Sequence, residues 1–172
     1  MMKLSVNVRV SRDNMKTLTA AMSTLEQNQV LVGIPAEKAP RTSEEAKARG
    51  TKINNAAIGY IMEFGSPTQN IPARSFLMPG IKNANDGISV RMTKAAQGAL
   101  DGKPDEVKNN LNAVGIIAAS SVKMKISSNI PPPLAASTLA ARRRRGRTGT
   151  RTLVDTGQLR NSISYVIRPK GK

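Results

Sequence analysis

The chain has 172 residues with no cysteine, no histidine and a net charge of +16. Those absences exclude a disulfide framework and thiolate chemistry, and they remove the commonest general base and metal ligand at neutral pH. Two Phe, two Tyr and no Trp argue against single-stranded nucleic-acid modules, which stack bases on aromatic rings.

The length fits one domain, 1–172, with a real core. No apolar run approaches the roughly 20 residues of a membrane helix, and the N-terminus "MMKLSVNVRV" alternates instead of forming a signal-peptide core. The expectation is a soluble protein of a reducing cytoplasm with no membrane partner.

Residues 3–10 place Leu4, Val6, Val8 and Val10 on one face and Lys3, Ser5, Asn7 and Arg9 on the other, which predicts a half-buried strand. Ser11 offers an N-cap, and Met15, Leu18, Met22 and Leu25 follow at helical spacing. "QVLVGIP" predicts a second strand over 29–34, stopped by Pro35. The polar stretch 36–53 reads as a long loop, mobile in the isolated subunit, with part of it able to form a transient helix. Asn54 or Asn55 can cap a short helix bearing Ala57, Ile58, Ile61 and Met62, which Gly65-Ser66-Pro67 ends. A longer helix follows with the stripe Ile81, Ala84, Ile88, Met92, Ala95 and Ala99. Another starts near Pro104, with Asp105 and Glu106 in its first turn, where the helix dipole favours acids. Val107, Leu111, Val114, Ala118 and Val122 form its buried stripe, and Gly115, Ala118 and Ala119 allow close packing. Residues 129–152 read as a second long loop. Ile163, Tyr165 and Ile167 then alternate with polar residues in a final strand over 162–168. The sum is an α+β fold: a small mixed or antiparallel sheet from strands 3–10, 29–34 and 162–168, packed on three to four helices.

From Leu134 onward, eight arginines and two lysines face a single acid, Asp155, a net of +9. Arg142, Arg143, Arg144, Arg145, Arg147 and Arg151 fall in the second loop. Gly146, Thr148, Gly149 and Thr150 would keep that loop pliable until it binds. The bland reading is a solvated loop. Contact with nucleic-acid phosphates and docking on an acidic protein are the sharper ones.

Asp155-Thr156-Gly157 has the form of an aspartic-protease turn. Such an enzyme needs two carboxylates sharing a proton, so one Asp155 suffices only in a homodimer, and only 17 residues follow it. The helical content also fits an all-β protease poorly. The structural alternative accounts for more residues: Asp155 as N-cap of one helical turn, Gln158 reaching back to complete a capping box, and Val154 and Leu159 as a hydrophobic staple.

"AAIGYIMEFGSPTQNIPARSFLMPGI" reads as a helix, a Gly-Ser-Pro break, an extended piece and a new helix, with Glu63 and Arg74 placed to pair across the break. This stretch, the "PPPLAASTLAARR" segment and "LVDTGQLRNSISY", in that order, resemble the tail-completion and neck proteins of tailed bacteriophages, including the morphogenesis proteins of the HK97-like tail-component group. The resemblance covers about Ala56 to Tyr165. Ser75, where Pro is frequent in that family, and Gln158 depart from its pattern, and the long arginine run exceeds what the family requires. The resemblance implies a structural virion protein with no catalytic residue, no cofactor and no metal. It implies a homo-oligomeric ring, six-fold or twelve-fold, between head and tail or at the top of the tail. The partners would be connector, stopper, terminator or tail-tube proteins, with possible contact to packaged DNA. Glu63, Phe64, Gly65, Arg74 and Phe76 are expected both in the core and at a subunit boundary, and loops 36–53 and 129–152 at neighbours. A basic DNA-binding protein acting through the arginines is the alternative, and a homodimeric aspartic protease a remote one.

Overall fold

The computed structural model describes residues 14–40 and 54–171. Helix α1 (Met15–Gln27) leads into strand β1 (Asn28–Gly33). Then come α2 (Asn55–Phe64), α3 (Leu77–Asn83), α4 (Asn85–Leu100), α5 (Pro104–Ser127), α6 (Ala136–Arg144), α7 (Gln158–Ser162) and strand β2 (Ser164–Pro169). The fold is α+β, with an antiparallel two-stranded sheet among the described residues. Its register pairs Val30 with Ile167 and Val32 with Tyr165. These four side chains pack toward the core, so the alternation of Tyr165 and Ile167 reports the buried face correctly. The strand expected at 3–10 lies outside the described residues, as do residues 41–53 of the first expected loop.

The 24-residue α5 is the spine. Val107, Leu111, Val114, Ala118 and Val122 are all buried, as their spacing predicts. One end packs with Ala21 of α1 and Ala99 of α4. The other, through Val122 and Ile126, packs with Phe76, Ile130, Leu153 and Ile163. Small residues set how closely neighbours approach. A Cβ on Gly80 would lie 2.7 Å from the Val122 Cα, and one on Gly115 would lie 2.1 Å from the Tyr165 ring. The Ser121 hydroxyl also donates to the Gly80 carbonyl at 2.7 Å, closing the α3–α5 contact.

Several expectations need correction. There are seven α-helices among the described residues where three to four were expected. The long helix starting near Ile81 is two, because the chain turns at Ala84 between α3 and α4. The buried stripe of α1 is rotated toward Ala21, leaving Met15 and Met22 exposed; the alanine lets α1 lie close against α4 and α5. The second loop is not continuous. It contains α6, which carries Arg142, Arg143 and Arg144 in its last turn, where cations complement the helix dipole.

The start of the first loop is tied down. Residues 36–38 form a 3₁₀ turn, and Ala39 is buried. The Asn55 N–H donates to the Ala39 carbonyl at 2.7 Å, and its side-chain amide reaches the carbonyls of Lys38 and Pro40. Asn54 caps α2, its side chain accepting from the Ala57 N–H at 2.8 Å.

Gly80→Ala tests the helix contact. Alanine is the better helix former by about 1 kcal/mol, yet its methyl meets backbone, so the variant should lose about 1–3 kcal/mol in urea denaturation.

Candidate functional site

Glu63 sits in the last turn of α2, buried at 8 % exposure. Its carboxylate accepts from the N–H groups of Phe76 (2.8 Å), Leu77 (2.9 Å) and Met78 (3.3 Å), and from the Ser75 hydroxyl. These are the unsatisfied donors at the start of α3, so a side chain 13 residues upstream does the work of an N-cap. Burial pushes the Glu63 carboxyl up, but the donors from Leu77, Ser75, Phe76 and Met78 outweigh it and hold the group below its ordinary value. Between the two helices the chain doubles back. Gly65 adopts φ +79°, and a Cβ there would lie 2.9 Å from the Ala73 nitrogen. Ser66 and Ile71 exchange backbone hydrogen bonds, and the Arg74 N–H donates to Met62 O.

The expected Glu63–Arg74 pair does not form. Arg74 is buried and donates instead to the carbonyls of Pro132 (2.8 Å) and Pro133 (3.0 Å). These belong to the triple-proline segment, where proline nitrogens carry no donor and the carbonyls need one. Phe76 is 2 % exposed in the core. The side chains of Glu63, Arg74 and Phe76 are therefore engaged inside the subunit, as their expected place in the core requires, and Glu63 and Phe76 also line the cleft described next. Gly65 serves the turn.

Phe64 does face outward. It is 67 % exposed, as are Tyr60 and Met78, and the Tyr60 and Phe64 rings lie 4.9 Å apart. The three edge an apolar cleft of about 300 Å³, floored by Gly33, Ile34, Gly59, Phe76, Leu77 and Ile163. Exposed apolar surface of this kind, contiguous and concave, marks interaction sites more often than scattered exposed side chains do. Sequence reading found Phe64 but missed Tyr60 and Met78. Tyr60 lies four residues before Phe64 on the same helix, and that i, i+4 spacing was the available signal.

The arginine run divides. Arg142 is 7 % exposed. Its Nη1 donates to the carbonyls of Gly149 (2.9 Å), Arg151 (2.8 Å) and Val154 (3.2 Å), and its Nε lies 3.5 Å from Asp155 Oδ1. Arg147 holds the other carboxylate oxygen at 2.7 Å. Arg142 is thus a clasp that folds segment 145–154 back over α6. This corrects its assignment as a partner contact and the view of the loop as pliable. Arg143, Arg144, Arg145 and Arg151 are exposed.

Asp155 is not a helix cap. The residue before α7 is Gly157, at φ +77°, and no side chain caps that turn. With both oxygens turned to guanidinium groups, Asp155 is an ion-pair anchor instead. The expected capping box with Gln158 is likewise absent, and the Gln158 Oε1 and Thr152 Oγ1 atoms are buried with no protein partner. Both residues line, with Arg142, Asp155, Ile58 and Met62, a cavity of about 190 Å³. Asp155 is the single carboxylate on its wall. Among the described residues no group of three or more acids is placed to hold a metal ion, and no helix is long and apolar enough to cross a membrane.

Comparison with protein-family models, with curated proteins and with solved structures gives no match.

Glu63→Gln weakens four hydrogen bonds to a charged acceptor and should cost about 1–3 kcal/mol at neutral pH. Because the folded-state pKa is depressed, the carboxylate's contribution is full above the unfolded value of about 4.3 and is lost as pH falls through the lower folded value. The stability gap between wild type and variant should therefore close in acid, as read by denaturation at pH 7 and pH 3. Arg142→Gln should cost about 2–3 kcal/mol. Asp155→Asn should cost less, because its carboxylate is 32 % exposed and such pairs contribute about 0–1 kcal/mol.

Proposed function

We propose that this chain is a structural protein of a tailed-bacteriophage virion, a subunit that closes into a ring at the neck or the top of the tail and joins head to tail. The observation that carries the reading is the meeting of the three motif stretches. Glu63 in the first closes onto Phe76–Met78 within it, Arg74 ties it to the triple proline, and Arg142 ties the arginine helix to Asp155. Leu159 of the last stretch lies beside Gly59 of the first. Residues that share a motif across a hundred positions thus share one structural knot, and the knot supports the outward apolar cleft of Tyr60, Phe64 and Met78. Several polar residues of the motif act as internal fasteners, which suits a protein that works by shape and assembly.

In this reading the cleft receives a different surface of the next identical subunit. Contacts of that heterologous kind generate rings when the rotation closes. The assembled ring then presents a preformed surface to a connector, stopper, terminator or tail-tube protein. The subunit would be made in the host cytoplasm and end in the virion.

Sedimentation velocity and negative-stain microscopy test this. The purified chain, alone or with a tail-tube or connector protein, should form rings at tens of micromolar. Tyr60→Ser with Phe64→Ser should leave a folded monomer, since both side chains are mostly outside the core. A wild-type chain that stays monomeric in all these mixtures, or rings that persist in the double variant, would overturn the assignment of the cleft.

A further inference from the structure

We infer that the lobe formed by the end of α6 and segment 145–151 is a preorganised binding surface for the phosphate backbone of duplex DNA. Arg142 does not itself make that contact; it sets the lobe. Its Nη1 holds the carbonyls of Gly149 and Arg151, while its own carbonyl accepts the N–H groups of Arg145 and Arg147. The Arg151 backbone is thereby clipped beside the end of the helix that carries Arg143 and Arg144. With about 100° between successive residues, Arg143 and Arg144 leave the helix on sides away from the buried Arg142. Guanidinium groups are thus directed outward from a fixed core at more than one angle.

That arrangement suits a row of anions better than one carboxylate. Arg143, Arg144 and Arg151 have no carboxylate partner among the described residues. The one acid after Leu134, Asp155, already faces Arg142 and Arg147. Arg143 and Arg147 also line an open groove of about 340 Å³ with Leu139, Thr148, Gly149 and Thr150; Leu139 and the arginine stems make much of its wall apolar, while the threonine hydroxyls are neutral donors of the type that position phosphates.

The chemistry of the surface separates DNA from an acidic protein. Protein interfaces are anchored by buried aromatic and aliphatic side chains, and none of the large exposed hydrophobics lies after Met124. Nucleic-acid interfaces are polar and strongly cationic, as this lobe is. It also has no aromatic ring to stack an unpaired base, which favours a duplex over a single strand.

Fluorescence anisotropy with a mixed-sequence 30-base-pair duplex tests the inference between 50 and 200 mM NaCl. Wild type should bind, with affinity falling steeply as salt rises. The variant Arg143→Gln/Arg144→Gln/Arg151→Gln keeps Arg142 and so should stay folded, with only the small loss expected from removing two cations at the helix C-terminus, and should bind more weakly and with a shallower slope. At about 0.9 per neutralised phosphate, loss of three contacts narrows the gap between the proteins about 40-fold across that range. An unchanged slope in the variant would overturn the inference. So would poly-glutamate displacing the duplex at equal charge concentration, which would assign the lobe to an acidic protein. The inference stands apart from ring assembly: a duplex-binding chain that stays monomeric keeps it and removes the other.

Discussion

A single buried carboxylate sets the geometry around which the subunit is arranged. Glu63 has to leave water, and that is tolerable only because three backbone donors and a hydroxyl converge on it. The donors are available because α3 begins there and has no cap of its own. Helix α2 and helix α3 are consequently locked in relative position, and the turn between them must fold tightly enough for Gly65 to take a left-handed conformation. Phe76 then enters the core at the first of these hydrogen bonds, while Phe64, one residue beyond Glu63, is turned outward. The buried and the exposed aromatic are thus fixed by the same carboxylate.

Arg142 plays the corresponding part at the other end of the motif. A guanidinium surrounded by carbonyls organises a segment that has few apolar side chains to fold around. It also separates two uses of one residue type that the sequence presents as a uniform run. Arg142 serves the clasp, Arg147 joins it on Asp155, and Arg143, Arg144 and Arg151 are exposed. Charge density alone therefore overstates the surface available to a partner, while the clasp raises the order of what remains.

The helices with long apolar stripes were legible because burial imposes a period: the start of α5 and its stripe from Val107 to Val122 were readable, though not the buried Ser121 and Ile126, and so was the inward facing of Tyr165 and Ile167. The break at Ala84 was not, since alanine carries no stop signal and the stripe runs on through it. α6 was missed because its residues show no apolar periodicity, and its stability comes from Arg142 and the dipole rather than from an amphipathic face. At the candidate site, residue types were recognised but their partners were not. Glu63 and Arg74 look like a pair by charge, yet each finds backbone groups, which a sequence does not display. Asp155 fits a capping box by spacing, but Gly157 takes a left-handed conformation and Arg142 approaches from a distant helix. The Ser75 hydroxyl likewise supplies a donor to Glu63 that no spacing in the sequence displays.

The anchoring of Pro40 to Asn55 has a consequence for how this chain can vary. Residues 38–40 and Asn55 are held side by side by backbone and amide contacts. The relative placing of β1 and α2 is therefore set by these contacts on described residues, and in a protein generally the entropy of closing a flexible connection grows slowly, by about 0.6 kcal/mol per doubling of its length. That junction is where the molecule can accept added length, and with it new contacts, without any adjustment of its spine.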